Sequence, residues 1–516
     1  MAESTKDKQP SDEDRVENVA HRRLLDVVPD YGRPWYRVPH LLKLNVSLLV
    51  LLVASYMSGY DGSMLNGMQS VPVWKKDFDN PSGSILGLLS TMQVIGNVAG
   101  LPIAPVMADR LGRRHPIAIG SVLMLLGTAI QSGANGIGMF LAGRAIIGVG
   151  GTLVSVSAAP LLAELAFPTH RPILTSVYNT SWYLGSIVAA WVTYGTFKIP
   201  NSWSWRIPSI LQALPSLIQL AFIYLLPESP RWLVAQDRPE DAMRVLARAH
   251  AGSDDPSELV ERELAEIEAA IQEEKIQNTA SYLDFTKTRG NLHRLFICIS
   301  LGFIIQWCGN GLVSYYLVQV LNNIGITDAK TQNIINGVLQ IFNWLVAVTA
   351  AFTVDRLGRR LLFLVSTAGM CVAFVVWTAI SARNEQQHYE NKGLGIGIVA
   401  MIFLFYLFYN VAMSPLPIAY LMEALPFTLR AKGLTLFNLA QFSTVVFNGF
   451  VNPVALEAIG WRYYIVFLCL VFVWFVVIFF FYPETRGLSL EEVTVVFDKR
   501  EVLEASPRKV NQDHLV

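Results

Sequence analysis

The chain has 516 residues, 53% of them hydrophobic and only 16% charged. An ordinary soluble domain carries roughly 25% charge, so a soluble globular enzyme and a disordered chain are both excluded. Lys+Arg and Asp+Glu each number 40, and a chain without net charge offers no basic field to hold nucleic acid. Residues 1–40 are polar, with no apolar stretch after a basic start. No cleaved signal peptide is therefore expected, and the N-terminus is expected in the cytosol. Cys298, Cys308, Cys371 and Cys469 lie in apolar stretches without metal-ligand spacing, which argues against a disulfide scaffold or a zinc site.

A membrane-spanning helix takes about 20 mostly apolar residues. Twelve such stretches follow one another at 44–67, 84–107, 116–133, 138–161, 174–197, 206–226, 292–321, 332–354, 361–381, 394–422, 433–456 and 461–482. An even number places both termini on one side. Of the Lys and Arg residues, 31 fall on that side and 8 on the other, with Arg144 inside a span. The excess puts the termini in the cytosol. Residues 239–276 are charged, with apolar residues at three- and four-residue spacing, and read as short amphipathic helices under the membrane; the alternative is a solvated linker. The tails, 1–40 and 489–516, read as unstructured.

The chain also repeats itself. DRLGRR stands at 109–114 and again at 355–360, so Asp109, Arg110, Arg113 and Arg114 recur as Asp355, Arg356, Arg359 and Arg360. Glu164 precedes Arg171 at the same spacing as Glu423 precedes Arg430. Trp205-Arg206 precedes Pro227-Glu228, and Trp461-Arg462 precedes Pro483-Glu484 at an identical spacing. Each pair falls at the matching end of its span, which implies two six-helix halves of one orientation joined by the charged insert. The expected fold is an all-α membrane protein with 12 transmembrane helices in two bundles, divided as tail 1–43, bundle 44–226, cytosolic helical insert 227–291, bundle 292–482 and tail 483–516. The arginines can bridge to Glu164 or Glu423 and to helix C-termini. With Glu228, Arg231 and Glu484 they form a candidate cytosolic gate that latches the halves when that side is shut. The alternative is that the basic residues serve topology alone.

These residues match a family. DRLGRR twice, GRAIIGVGG (143–151), PESPRWL (227–233), QWCGNGLVSYY (306–316) and PETRG (483–487) resemble the sugar porters of the major facilitator superfamily over about 44–490. GYDGSMLNG (59–67), YNTSWYLG (178–185) and GNGLVSYYL (309–317) resemble the fungal lactose and cellodextrin permeases within it. The resemblance implies the major facilitator fold, alternating access around a central sugar site, and an insert that braces the bundles. A plasma-membrane location rests on the same resemblance.

Asp61 and Arg144 are charges inside otherwise apolar spans. A charge at a helix centre costs about 2.5–3.5 kcal/mol on insertion scales, so each is a functional candidate. The first span runs up from position 44 to Asp61, and the fourth runs down from position 138 to Arg144. At roughly 1.5 Å per residue from opposite membrane faces, about 25 Å and about 9 Å bring them to similar heights. A carboxylate beside an arginine is held charged, and protonating it releases the arginine, a route for coupling a proton to a conformational step. The resemblance agrees, because proton-coupled sugar porters carry an Asp here. The alternative is a static pair that fixes helix positions.

A sugar presents hydroxyls that both donate and accept, which carboxamides answer in kind. Gln306 and Asn310 are four apart and share a face, followed by Ser314; Gln340 and Asn343 are three apart; Asn410 precedes the helix-breaking SPLP at 414–417; Gln441, Asn448 and Asn452 share another face. Tyr178, Asn179 and Trp182 are candidates in the fifth span, and Tyr315 and Tyr316 in the seventh. Interhelical packing is the alternative for each. The sugar-porter pattern maps onto Gln306, Tyr315, Tyr316 and Asn343. It departs at Ile305, Gly311, Asn179, Asn410 and Ile418, and the small or apolar Gly311 and Ile418 make room that fits a disaccharide. No nucleophile triad, metal cluster or phosphate loop is evident, and GVGG (148–151) reads as close helix packing. The expected function is proton–disaccharide symport in a lipid bilayer by a monomer, with no cofactor beyond the proton and no nucleic-acid partner. A hexose or pentose transporter and a non-transporting sugar sensor are the alternatives. Sensors of this kind carry long tails, and the short stretch that follows Pro483 favours transport.

Overall fold

The structure, a computed structural model, describes residues 27–29, 31–253, 257–277 and 281–486, with Val493, Val496 and Phe497. The side chains of 273–277, 351–356, 427 and 431 lie outside that description, as does most of both tails, so the unstructured reading there is not addressed. All regular structure among the described residues is helical.

Span 1 is Pro39–Met68, span 2 is Gly83–Gly100 continued by Ala104–Leu111, and span 3 is Arg114–Ser132. Span 4 is Ile137–Leu165, span 5 is Arg171–Thr196, and span 6 is Trp203–Leu211 with Ala213–Phe222. In the second half, span 7 is Arg289–Trp307 with Asn310–Asn322, span 8 is Ala329–Leu357, and span 9 is Arg359–Gln386. Span 10 is Lys392–Ala412 with Leu416–Ala424, span 11 is Phe427–Ile459, and span 12 is Tyr463–Phe481. Ten stretches among the described residues are long and apolar enough to cross a membrane, and one of them, Thr428–Phe481, holds spans 11 and 12 together. Span 5 is a 26-residue helix less uniformly apolar than its neighbours, because Thr175, Ser176, Asn179 and Thr180 interrupt its apolar run.

Local chemistry explains where the helices start and break. Span 1 begins at Pro39 rather than at 44, since a proline in the first helical position loses no hydrogen bond there. A turn at Trp35–Arg37 precedes it, so the segment before span 1 is ordered from there. Span 10 breaks at Met413–Pro415, where SPLP was expected to break it. Span 7 breaks at Cys308-Gly309, which the sequence reading ran through as one helix. Gly148 confirms the close-packing reading of GVGG: a Cβ there would lie 2.1 Å from the Gln93 carbonyl oxygen of span 2. Cys298 and Cys308 are buried free thiols.

The packing is duplicated. In the first half span 1 packs on span 5, span 4 on spans 2 and 3, and span 3 on span 6. In the second half span 7 packs on span 11, span 10 on spans 8 and 9, and span 9 on span 12. Between the halves, span 2 meets span 11 and span 5 meets span 8, which is the same contact made twice about a pseudo-two-fold axis. Large apolar side chains such as Leu126, Leu214, Phe472 and Phe480 stay exposed on the outside, where lipid covers them.

The insert forms helices at Pro230–Ala235, Pro239–Leu246 and Glu258–Gln277. Leu233, Ala242, Leu246, Ala247, Val260 and Leu264 bury its own small core. The amphipathic reading is thus met by folded helices rather than a linker. The first helix touches span 4, and the turn Ala247–Ala251 touches span 1.

Candidate functional site

Asp61 and Arg144 meet inside the first half. Arg144 Nη1 and Nη2 donate to Asp61 Oδ1 and Oδ2 at 3.2 and 3.0 Å, and each residue is only 1% exposed. Burying two ions costs several kcal/mol each, which further hydrogen bonds offset; Arg144 Nε is left without a partner among the described residues. Gln212 of span 6 donates to Asp61 Oδ1 at 2.7 Å, and Arg144 Nη2 reaches Gln93 Oε1 at 3.3 Å. Gln131 in turn donates to Gln212 Oε1 at 3.3 Å. The pair is the centre of a network drawn from spans 1, 2, 3, 4 and 6. Tyr315 of span 7 lies within electrostatic reach of both charges, so the network borders the other half.

The two DRLGRR turns are built alike. Glu228 accepts the backbone N–H groups of Arg113 and Arg114 at 2.9 and 3.3 Å; Glu484 accepts those of Arg359 and Arg360 at 2.8 and 3.1 Å. Each carboxylate caps the start of span 3 or span 9. Arg114 and Arg360 then donate to the Tyr224 and Phe479 carbonyls at 2.9 and 2.6 Å, at the ends of spans 6 and 12. Ser229 donates to Glu164 and Thr485 to Glu423, both at 2.5 Å. Arg359 pairs with Glu423 at 3.0 Å, and Arg113 approaches Glu164 at 3.9 Å. Asp109 pairs with Arg113, Arg231 is an electrostatic neighbour of Glu164, and Arg430 donates to the Leu425 carbonyl. Arg110 is exposed and Arg171 starts span 5. The side chains of Asp355 and Arg356 lie outside the described residues. These bonds run within one half or the other, so in this structure the clusters fasten each half to itself.

Hydrogen bonds between the halves lie at two levels. At the end opposite the DRLGRR turns, Gln69 donates to the Tyr315 carbonyl at 2.8 Å and Asn333 to Ser70 at 2.6 Å. Nearer the middle, Tyr183 of span 5 donates to Asn410 Oδ1 at 2.8 Å and meets Ser414 at 3.2 Å. Beyond them toward the DRLGRR face, Asn179 and Ile418 are exposed. Removing the far-end bonds has a defined consequence. Each is worth about 0.5–1.5 kcal/mol, so Gln69→Ala with Asn333→Ala is expected to speed amide hydrogen exchange at residues 65–71 roughly 5- to 160-fold. Unchanged exchange there would show that these bonds do not hold that end shut.

The comparisons with known proteins decide the family. Residues 47–497 match the family described as sugar (and other) transporter. A sugar transporter of Saccharomyces cerevisiae is 31% identical over 459 residues, covering 86% of this chain and 79% of that protein. A high-affinity glucose transporter of Kluyveromyces lactis is 26% identical over 485 residues, covering 91% and 88%. The chain belongs to the sugar porter family of the major facilitator superfamily. Among solved structures, the inward open xylose transporter of E. coli shares the fold at a TM-score of 0.72, 21% identity, 88% of this chain and 99% of that one. This sugar porter is therefore a multi-pass membrane transporter and not an enzyme.

In the sugar porter the candidate amides gather on spans 7, 8, 10 and 11. Asn410 donates to Asn343 Oδ1 at 3.0 Å while accepting from Tyr183, so one carboxamide ties three spans. Asn310 Oδ1 accepts from Ser314 and Tyr406 at 2.8 and 3.2 Å. Gln340 donates to Asn336 at 3.3 Å, and Asn448 to the Gln306 carbonyl at 3.0 Å. Gln306 Oε1, Gln340 Oε1 and Asn336 Nδ2 are buried without a protein partner among the described residues. A buried polar atom left unpaired costs about 1–3 kcal/mol, which a hydroxyl-bearing ligand would recover. Gln441 is half-buried on span 11.

Other candidates face elsewhere. Tyr316 is fully buried and its hydroxyl donates to the Gly449 carbonyl at 2.7 Å, which ties span 7 to span 11. Tyr178 packs on the core of the first half, while its neighbour Asn179 is exposed. Gly311 does not open the space expected of it, because a Cβ there would already lie 3.2 Å from Asn448 Nδ2. Asn448 fills that volume. Gln93, Gln131, Gln212, Tyr183 and Tyr406 were missed. Gln212 carries no charge, so the criterion that singled out Asp61 and Arg144 did not reach it.

Proposed function

We propose that this sugar porter couples uptake of its sugar to a proton by alternating access. The observation that carries the reading is the buried Asp61–Arg144 pair, bonded on both oxygens and bordering Tyr315 of the other half. A proton on Asp61 cancels the charge that holds Arg144, and the freed guanidinium must find other partners, which changes how span 1 sits against span 4. The sugar is met by Gln306, Asn310, Tyr315, Gln340, Asn343, Asn410 and Gln441, whose carboxamides and hydroxyls suit a neutral polyol. The DRLGRR clusters serve as the gate on the cytosolic face, where both termini lie, and the membrane is the plasma membrane. The transporter acts as a monomer.

The substrate we favour is a disaccharide of the lactose or cellobiose kind. Ile418, 58% exposed, puts an aliphatic side chain in place of a large ring at that position. A hexose or pentose substrate is the second reading, favoured by Asn448 filling the space beside Gly311. The test is a competition panel in a transport-deficient host expressing the protein. Radiolabelled lactose or cellobiose uptake is expected to be blocked by unlabelled disaccharide and to resist glucose and xylose. Uptake of labelled glucose or xylose, with none of disaccharide, would transfer the assignment to the second reading.

A further inference from the structure

At the DRLGRR face of the first half lies an open cavity of about 650 Å³, bounded by the start of span 1, the end of span 2, the start of span 3, the end of span 6 and the insert. None of the residues that meet sugar or bind the Asp61 network lines it. Five cations do: Lys43, Arg114, Arg238, Arg244 and Arg248. The carboxylates in its wall are Glu228 and Asp241, two against five. Both are already engaged. Glu228 caps span 3, and Asp241 is shared by Arg238 and Arg244 at 2.5 and 2.7 Å. Cations outnumber acids among the lining residues, so the wall carries a net positive charge.

The geometry repeats on both walls. His40, Lys43, Leu44 and Ser47 are spaced as one face of span 1, and Asp241, Arg244, Val245 and Arg248 as one face of the insert. The rim is apolar. Leu111 and Leu225 line the cavity and are 44% and 74% exposed, and Val46 is exposed on span 1 beside Lys43. A soluble anion has no use for such a rim, and Leu225 continues a run of exposed apolar side chains, Leu214, Leu217 and Phe222, along span 6. An amphiphile satisfies both features. We propose that this cavity binds the phosphate headgroup of an anionic glycerophospholipid in the leaflet on the DRLGRR face. Its acyl chains lie along the exposed apolar sides of spans 1, 3 and 6. Clustered Lys and Arg at a membrane surface draw such lipids, and guanidinium groups pair with phosphate through paired N–H donors. The lipid then joins the insert to span 1.

The test uses the full-length protein in nanodiscs of phosphatidylcholine, alone or with about 20 mol % phosphatidylglycerol. The anionic lipid is expected to raise the melting temperature of the wild type. Arg244→Gln with Arg248→Gln is expected to lose at least half of that rise, and Lys43→Gln a smaller part. Arg244→Lys with Arg248→Lys, which keeps the charge, is expected to keep most of it. The rise is compared within each variant, so a general loss of stability does not count as loss of binding. A full rise in the double Gln variant overturns the proposal. Inorganic phosphate in phosphatidylcholine nanodiscs separates the sources: an equal rise from phosphate alone would assign the cavity to a free anion and overturn the lipid.

Discussion

An Asp61→Asn variant is expected to lose concentrative uptake while still carrying sugar down its gradient. At about 1.36 kcal/mol per unit, a pH gradient of roughly 2 units supports about 100-fold accumulation by the coupled transporter, and the variant should fall to about 1-fold. Asparagine keeps an oxygen to accept from Arg144 or Gln212, but it has no proton to take up and release. It also leaves the Arg144 charge uncompensated at 1% exposure, at a cost of about 3–5 kcal/mol for a broken buried pair. Poor expression is therefore a foreseeable outcome of the single variant. The double variant Asp61→Asn with Arg144→Gln removes both charges together, restores neutrality and should be recovered in better yield, still without accumulation. The measurement is the steady-state ratio of labelled sugar inside and outside energised vesicles, with counterflow as the check on downhill passage. Sustained uphill accumulation by either variant would end the proton assignment.

The parts of this argument were unequally visible in the sequence. The two halves and the Asp61–Arg144 pair were legible because they need only local facts: a hexapeptide repeated at matching helix ends, and charges in apolar runs. The helical rise per residue, counted inward from opposite faces, put them at similar heights and so permitted contact. Gln212 was not legible. It is far along the chain from Asp61, and an amide in a span is compatible with many roles until the neighbours are known. Tyr183 lay within the quoted YNTSWYLG, yet choosing it over Tyr178 requires knowing which side of span 5 faces the second half. The volume argument at Gly311 failed because it compared one residue with another and ignored Asn448, which reaches in from span 11. The DRLGRR residues were singled out as a candidate gate, but the partners the structure gives them were not. The glutamates of PES and PET bind backbone N–H groups remote in the chain, and no spacing rule points there.

Those glutamates lead to the second large effect. Gly112→Ala and Gly358→Ala are each expected to lower stability by about 2.5–6 kcal/mol, a large fraction of a typical total stability. Two costs combine. Gly112 sits at φ 86°, ψ −174° and Gly358 at φ 90°, ψ 150°, conformations open to glycine almost alone and worth about 1–3 kcal/mol to any other residue. A Cβ would also stand 2.5 Å from Glu228 Oε2 or 2.9 Å from Glu484 Oε2, so the carboxylate must withdraw from the N–H groups it caps. Charge-assisted bonds of that kind contribute about 1.5–3 kcal/mol. The two costs separate in a double-mutant cycle. Once Glu228→Ala has removed the carboxylate, Gly112→Ala should cost only the backbone part, about 1–3 kcal/mol. Thermal melting of the purified protein measures each corner of the cycle, and full additivity would show that the glycine and the glutamate do not act through each other. The same cycle at Gly358 and Glu484 should return similar values, because the second turn repeats both backbone bonds of the first cap. A turn whose tightness depends on one carboxylate fastens spans 3 and 6, and spans 9 and 12, into units that can move as bodies. In the alternating access proposed above, each half has to stay rigid at the DRLGRR face while the two rock, and these capped turns supply that rigidity.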